Sequence, residues 1–445
     1  MSVEVPTAPG LPVLGSAVDV ARRMLDTQVR AMREVGDVVR FVVGPPGARV
    51  TLYAVYDPEG AHRVLASGST RYRKDNRLYE EMSSAFGDGL LTSQDQTWLR
   101  QKRFLQPLFT HARVAQYVPV MAAEARTLVE RWRGRESVEL HGETSRLTLR
   151  VVGRVLLGAD LDEAVDVLRT MLPALSEDLR RRGFSPFPMP PGWPTPANLR
   201  LRRHRAALDG VVDRLVAARR AAGGGEDLLG RLIAARDGDA ALSDDEVRDQ
   251  VLVFLFAGSD TTATALTATL HLLGSHPDVQ DRARAEVRAV LAGGEPTAAD
   301  LGRLAYLTRV VKEALRLYPP AYATSRRLTG GDDEVAGHRI PDGADVGVYP
   351  WATHRHPRHW DSPERFDPDR FTPEREAARA RYAWFPFGGG PRTCIGAHFA
   401  LLESLTVLAA VLDGYRLETP DRPIPVVPKI TLHPAGPVEA RLTAL

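Results

Sequence analysis

The sequence has only one cysteine, Cys394, among its 445 residues. A single thiol cannot form an internal disulfide, which excludes the small secreted domains that depend on such bridges and suits a reducing environment. Long hydrophobic runs are also missing, since the longest covers only residues 251–257. A membrane-spanning helix needs roughly 18 apolar residues, so the sequence predicts no membrane span and a cytoplasmic location.

The sequence also lacks an excess of charge of either sign. Its 58 Lys and Arg residues nearly balance its 56 Asp and Glu residues, giving a formal net charge of +2. This balance argues against a nucleic-acid partner. The N-terminal segment has no basic region ahead of an apolar stretch and is interrupted by prolines, so we do not interpret it as a signal peptide. The chain is long enough to enclose a large cofactor.

Most of the chain has the periodicity of amphipathic helices, with two strand-rich parts at about 37–55 and 320–350. In the first part, two β-branched runs flank a Gly-Pro-Pro-Gly turn and predict a hairpin. We expect a mainly α fold with small β-sheets, formed by a single domain that covers residues 1–445. Residues 69–91 have mixed character and are predicted to form a long irregular loop.

A proline-rich segment lies at residues 184–196. Its five prolines between Pro186 and Pro194 are incompatible with a helix. Its aromatic and apolar content leaves two interpretations open: a lid over an apolar cavity, or a rigid surface linker.

A long helix is predicted from Ser243, where Glu246 three residues later completes a capping box, to about Ser275. At its centre the sequence reads AGSDTT. Asp260 and Thr261 lower the helix propensity of a segment that should be buried, and a buried carboxylate needs a partner. Residues that break local rules inside a core helix suggest a functional site. The alternative is a solvated aspartate beside threonines bonded to their own helix.

A second amphipathic helix is predicted at residues 304–317 and is ended by two prolines. Glu313 and Arg316 lie three residues apart on one face of this helix and can form an ion pair. By itself, this spacing is typical of an ordinary solvated pair.

The cysteine lies in the segment FPFGGGPRTCIG, residues 385–396. Consecutive glycines allow the backbone to pass close to a bulky group, and Arg392 adds a positive charge two residues before the sulfur. A helical pattern begins just after Cys394. Cysteines near a helix N-terminus and an arginine are held as thiolates, which are soft metal ligands. The alternative is an inert, buried cysteine.

Four stretches occur in a fixed order: AGSDTT, EALR, PERF and FPFGGGPRTCIG. Together they resemble the cytochrome P-450 superfamily of haem-thiolate monooxygenases, in its soluble bacterial type, and the similarity extends over nearly the whole chain. The cysteine segment is a highly specific motif, whereas the E-x-x-R motif alone is weak. The resemblance implies the P-450 fold, with the long central helix lying over haem b.

The resemblance assigns Cys394 as the axial ligand of the haem iron and Phe387 as the aromatic residue that packs near the sulfur. Gly396 completes the spacing of this cofactor-binding loop. The positions that match haem-propionate donors are Trp98, Lys102, Arg326 and Arg392. Lys102 stands where the family commonly has arginine, so it can supply charge but not a bidentate fork.

Two further groups of residues receive roles from the resemblance. Asp260 and Thr261 match the acid–alcohol pair that delivers protons above the distal face of the haem. Glu313 and Arg316 are expected to join Arg365, from the PERF stretch, in a buried structural triad rather than a solvated pair.

The substrate pocket is expected on the distal side, between the loops at residues 71–91 and 184–196. The candidates for its lining are Phe254, Ala257, Gly258, Ala321, Tyr322 and Ala323. All of them are small or apolar except Tyr322, which is expected to be the polar group of the pocket.

The resemblance implies a monooxygenase that inserts one atom of molecular oxygen into a small apolar substrate. Terpenoid, fatty-acid and polyketide-like substrates all fit this activity. The similarity of the proline-rich segment and the cysteine loop to family members slightly favours the first two classes, by analogy alone. Electrons are expected from NAD(P)H through a reductase and a ferredoxin-type donor, because the sequence contains no flavin or iron–sulfur module. The donor is expected to dock near Cys394 and the basic stretch at residues 100–113.

Two other functions compete with this interpretation. A haem-thiolate peroxygenase or isomerase would need no electron donor, but such relatives usually lack the acid–alcohol pair. A non-catalytic protein that binds haem or another small ligand would bind the candidate substrate without oxidising it.

Overall fold

The computed structural model describes residues 3–156, 158, 162–183, 192–225, 227–237 and 240–445. Its α-helices are, in chain order, α1 (Ala17–Glu34), α2 (Pro58–His62), α3 (Arg77–Phe86), α4 (Asp95–Leu105), α5 (His111–Ala115), α6 (Val118–Arg131), α7 (Leu140–Val151), α8 (Asp162–Gly183), α9 (Pro196–Ala221), α10 (Leu228–Ala234), α11 (Asp244–Ser275), α12 (Pro277–Leu291), α13 (Ala298–Arg303), α14 (Ala305–Leu317), α15 (Pro350–Thr353), α16 (Pro373–Ala378) and α17 (Ala397–Gly414).

The strands of the described residues are short. They are β1 (Val38–Val43), β2 (Val50–Val55), β3 (Tyr72–Arg73), β4 (Ser137–Glu139), β5 (Arg236–Asp237), β6 (Ala240–Ala241), β7 (Thr324–Leu328), β8 (Asp333–Val335), β9 (His338–Ile340), β10 (Asp345–Val348), β11 (Tyr415–Glu418), β12 (Val426–Pro428), β13 (Leu432–Pro434) and β14 (Glu439–Ala444). The expected mainly α fold with small sheets is therefore confirmed.

The largest sheet has five strands in the order β1-β2-β10-β7-β3. Strands β1 and β2 form the predicted antiparallel hairpin, with Val38 opposite Val55 and Val43 opposite Val50. Strand β10 runs parallel to β2 and antiparallel to β7, which joins the two strand-rich parts of the sequence into one sheet. A three-stranded sheet has the order β11-β14-β4, and β12 pairs with β13 in a hairpin near the C-terminus.

The helix α11 forms the centre of the helical part. Ser243 caps it as predicted, because its side chain accepts a hydrogen bond from the N–H of Glu246 while the Glu246 side chain accepts one from the N–H of Ser243. The helix packs against α7, α9, α14 and α17. By length and hydropathy both α11 and α17 are able to span a membrane, but 78% and 61% of their most apolar windows are buried, which identifies them as core helices.

The prediction of an irregular loop at residues 69–91 is wrong, because α3 occupies much of this range. Asn76 caps this helix through its side chain, and the buried face includes Tyr79, Met82 and Phe86. These apolar residues recur at helical spacing, and burying them favours a helix despite the polar residues between them. The proline-rich segment at residues 184–196, for which a lid and a rigid linker were both open interpretations, lies mostly outside the described residues.

Candidate active site

The cysteine segment forms a tight loop before α17. The N–H of Cys394 donates to the carbonyl oxygen of Phe387 at 2.9 Å, which closes the loop. Gly388 and Gly390 have φ angles of +73° and +64°, and a side chain at Gly390 would collide with the carbonyl oxygen of Leu65. The glycines therefore allow the loop to turn while lying directly against the neighbouring backbone.

The sulfur of Cys394 faces an internal cavity of about 860 Å3. Cys394 is therefore exposed to this cavity and not to the outer surface of the protein. Burial raises the pKa of the Cys394 thiol, and a hydrogen bond from the backbone N–H of Gly396 opposes that shift. The predicted role of Arg392 in holding a thiolate is wrong. Its guanidinium stacks 4.0 Å from the centre of the Trp98 ring and donates to the carbonyl oxygen of Ser93 at 2.9 Å.

Several cationic side chains meet at one edge of the same cavity. The structure brings together the predicted residues Trp98, Lys102, Arg326 and Arg392, and all four line the cavity. Lys102 lies 4.9 Å from the centre of the Trp98 ring and donates to the carbonyl oxygen of Pro391 at 3.0 Å. A further cation, Lys74, also lines this edge, although sequence reasoning did not identify it.

The cations of this edge repel one another. Burial, together with Arg326 and Arg392, lowers the pKa of Lys74 well below its usual value. Burial and Arg326 lower the pKa of Arg392 to about 10. Among the described residues, only carbonyl and hydroxyl oxygens accept hydrogen bonds from these cations, which are Lys74, Lys102, Arg326 and Arg392. Buried cations without carboxylate partners are costly, so this edge fits a ligand with two carboxylates, such as the propionates of haem.

The opposite walls of the cavity are mainly apolar. The six predicted pocket residues, Phe254, Ala257, Gly258, Ala321, Tyr322 and Ala323, all line it. The expectation that Tyr322 is the polar group of the pocket is wrong, because its hydroxyl donates to the carbonyl oxygen of Lys429 at 2.6 Å. Tyr322 therefore presents its ring to the cavity.

Asp260 and Thr261 lie near the middle of α11. The hydroxyl of Thr261 donates to the carbonyl oxygen of Ala257 at 2.8 Å, and the side chain lines the large cavity. The buried carboxylate of Asp260 accepts hydrogen bonds from Thr431 and from Nε2 of His433, the latter at 3.2 Å. Burial raises the pKa of Asp260, but these two hydrogen bonds and the charge of His433 outweigh it, leaving the pKa below its usual value.

Glu313 and Arg316 form a fully buried ion pair, with N–O distances of 2.6 and 2.8 Å. The solvated-pair alternative is therefore wrong. Arg316 also donates to the carbonyl oxygens of His354, Pro363 and Arg365. The pair thus fixes the backbone ahead of the cysteine loop.

The predicted contribution of the Arg365 side chain is wrong. That side chain is 72% exposed, and only its backbone carbonyl reaches the pair. Arg370 takes the expected place, because its Nε lies 3.4 Å from Glu313 Oε1 and its side chain is 8% exposed. The turn at Pro368–Phe371 directs Arg370 inwards, whereas Arg365 precedes that turn.

Four residues of the site escaped sequence reasoning: Lys74, Arg370, Thr431 and His433. Lys74 and Arg370 lie within charged runs, where a buried side chain gives no distinct signal. His433 is 173 residues from Asp260 in the sequence, so its contact depends on the fold. The stretch PERFDPDRF offered the one available signal for Arg370, because it contains a second arginine that can replace Arg365 as the partner of Glu313.

A cysteine that faces a mainly apolar cavity beside a long core helix, with cations at one edge, fits a haem-dependent oxygenase. Residues 5–438 match the family model described as cytochrome P-450. The chain belongs to this family. It is a P-450 monooxygenase with haem b as its cofactor.

Three bacterial relatives are similar over most of their length. Cyclooctatin synthase from Streptomyces melanosporofaciens is 37% identical, with 94% of this chain and 89% of the relative covered. Cyclooctat-9-en-7-ol 5-monooxygenase from the same organism is 34% identical, with coverages of 94% and 90%. Pentalenene oxygenase from Streptomyces avermitilis is 35% identical, with coverages of 98% and 97%.

The fold is also similar to a solved structure, the crystal structure of the cytochrome P-450DA haem domain. The TM-score is 0.88 at 27% sequence identity, covering 100% of this chain and 98% of the other. This similarity shows that the chain has the fold of a P-450 haem domain.

Proposed function

We propose that this monooxygenase oxidises a terpenoid, inserting one oxygen atom at a carbon of an apolar skeleton. The observation that carries the proposal is the apolar wall opposite Cys394, formed by side chains such as Phe254 and Ala323. Because the Tyr322 hydroxyl is turned away to a backbone carbonyl, this wall offers little to hold a charged substrate. The relatives named for cyclooctatin and pentalenene support the same substrate class.

We also propose roles for the residues of the site. Cys394 would hold the haem iron through its thiolate. Phe387 would shield the sulfur and the N–H of Gly396 would donate a hydrogen bond to it, which would limit how much electron density the sulfur donates. A thiolate-ligated haem supplies dioxygen activation when bound. Lys74 and the predicted donors Trp98, Lys102, Arg326 and Arg392 hold the propionates.

Proton delivery is assigned to α11. The Asp260 carboxylate accepts protons and passes them on, and the Thr261 hydroxyl orients water on the cavity side of the helix. The apolar wall disfavours water elsewhere on this side of the cavity, which makes α11 the proposed route for protons.

Electrons are proposed to come from NAD(P)H through a reductase and a ferredoxin-type donor in the cytoplasm. P-450 enzymes generally use redox partners, oxygen and apolar substrates. Exposed Arg103 and Leu99 on α4 offer a cationic and apolar docking surface on the cysteine side. Arg100, from the predicted basic stretch, is turned towards α11 and pairs with Glu246.

The substrate class is tested by titrating the haem protein with cyclic terpenes, including pentalenene, and with fatty acids of similar size. Terpenes should shift the haem from low to high spin, and turnover with ferredoxin, reductase, NADPH and 18O2 should place one labelled atom in the product. Shifts with fatty acids alone would overturn the substrate class.

The competing functions give different results in the same experiment. Equal turnover with hydrogen peroxide alone would favour a peroxygenase, and binding without any oxidised product would favour a non-catalytic protein. Ala323→Leu narrows the cavity and should weaken terpene binding, whereas Ala378→Leu on exposed α16 serves as a control and should not.

A further inference from the structure

A second cavity, here called the side cleft, lies on the other side of α11. Its volume is about 330 Å3. At its inner end lie the buried side chains of Asp260 and His433, and at its outer end Arg169 and Thr170 are exposed. The side cleft therefore leads from the protein surface to the carboxylate of the proposed acid–alcohol pair.

Asp260 reaches the side cleft through a compact hydrogen-bonded group. His433 Nε2 lies 3.2 Å from Asp260 Oδ2 and 3.1 Å from the hydroxyl of Thr431, which itself donates to Asp260. His433 is 3% exposed and belongs to β13, while Asp260 belongs to α11. Two separate elements therefore hold a histidine against the carboxylate.

Among the described residues, His433 is the only hydrogen-bond partner of the Asp260 carboxylate that can carry an extra proton. The other partner, the hydroxyl of Thr431, can orient a proton but not store one. A carboxylate that gives up protons during turnover must regain them from a neighbouring group or from water. His433 lines the cleft beside Asp260 and contacts its carboxylate, which suits this supply.

The other charged or titratable groups that face the side cleft are Glu139, His141, Arg169 and Lys429. Burial and the nearness of His433 lower the pKa of His141 to about 4, so His141 is neutral near pH 7. Its Nδ1 lies 3.2 Å from the hydroxyl of Thr267, and its ring centre is 5.7 Å from that of His433. His141 therefore lies in the same cleft without contacting Asp260 directly.

We propose that His433 transfers protons from water in the side cleft to Asp260. This inference rests on the proposed function, in which Asp260 supplies the proton at the distal side. In the step, the Nε2–H bond of the imidazolium breaks and the proton forms an O–H bond at Asp260 Oδ2. The ion pair becomes a neutral pair, and the imidazole then takes a new proton from cleft water.

One test follows the histidine itself and needs no turnover. The reduced, carbon monoxide-bound protein is labelled with 15N-histidine, and His433 is assigned by comparison with His433→Gln or, if that variant does not fold, His433→Asn. In Asp260→Asn the 15N chemical shift of His433 Nε2 should change at a fixed pH, because the ring loses its hydrogen bond to a carboxylate oxygen. An unchanged chemical shift would overturn the proposal.

A second test measures proton supply during turnover, with pentalenene as the probe substrate and ferredoxin, reductase and NADPH as the electron source. His433→Gln should lower product formation at least about tenfold and enlarge the solvent deuterium isotope effect, because a positioned proton donor is removed. His141→Gln, in the same cleft, is the matched control and should remain within about twofold.

The two levels of the proposal fail differently. If the reduced carbon monoxide complex lacks thiolate ligation, or none of the cyclic terpenes shifts the spin state, the proposed function fails. If both signals are normal and His433→Gln keeps the rate and isotope effect of the unmodified protein, the role of His433 is overturned.

Discussion

Asp260 and Thr261 are adjacent on α11, yet their side chains line different cavities. Thr261 faces the large cavity with Cys394, whereas Asp260 faces the side cleft and accepts hydrogen bonds from Thr431 and His433. Consecutive helical residues are about 100° apart around the axis, so one short segment can serve both sides of the helix. The helix thus separates the substrate side from the side that reaches the surface.

Thr261→Ala should divert electrons from product to hydrogen peroxide while haem binding persists. The hydroxyl that orients water on the cavity side is lost, so proton delivery becomes less directed. Peroxide release and product formed per NADPH measure this. Thr269→Ala is the matched control, because Thr269 makes the same hydrogen bond within α11, to Ala265 at 2.7 Å. Equal coupling in both variants would contradict the role of Thr261.

Arg370→Ala should destabilise the protein by about 2 kcal/mol, because it removes one of two cations beside the buried Glu313. Arg365→Ala should change stability by less than about 0.5 kcal/mol, since its side chain is exposed. Urea denaturation followed by the haem absorbance compares the two variants. A larger loss for Arg365→Ala would restore the sequence-based assignment.

Lys74→Met should accelerate haem loss, because it removes a buried cation from the edge proposed to hold the propionates. The rate of haem transfer to excess apomyoglobin measures this. Lys312→Met serves as the comparison, since Lys312 is already neutralised by Glu376 at 2.7 Å. Identical transfer rates in the two variants would remove Lys74 from the site.

Stability should fall as the pH drops from about 6.5 to about 4, in part because of His141. Its pKa in the folded protein is below that of the unfolded chain, so the unfolded chain binds more protons in this window and is favoured as the pH falls. The loss amounts to up to about 3 kcal/mol. His141→Asn should flatten the pH dependence of urea unfolding, whereas exposed His62→Asn should not. Equal slopes in the two variants would contradict this.

Much of this arrangement could be predicted from the sequence. The capping box at Ser243 and Glu246, the pairing of Glu313 with Arg316, and the cysteine loop all depend on residues close together in the chain. The burial of the Glu313–Arg316 pair was expected only from the family resemblance. Local spacing constrains such features strongly. The family resemblance then placed these stretches around one cofactor.

The remaining features depend on contacts between distant residues. His433 contacts Asp260 across 173 residues of sequence. Lys74 donates to the carbonyl oxygen of Leu91, 17 residues away, and lines the same cavity as Arg392. Arg365 and Arg370 are the same residue type in the same stretch of sequence, so the sequence does not distinguish them. The turn at Pro368–Phe371 decides which side chain points inwards. A helix at residues 77–86 was missed because polar residues alternate with its buried ones.

Cys394 is proposed to hold haem iron as a thiolate in the cavity beneath α11. The absorbance spectrum of the reduced protein with carbon monoxide tests this ligation most directly. The unmodified protein should show the red-shifted Soret band of thiolate ligation, which should be lost in Cys394→Ser and retained in Thr269→Ala. A histidine-like Soret band in the freshly purified, unmodified protein would contradict it.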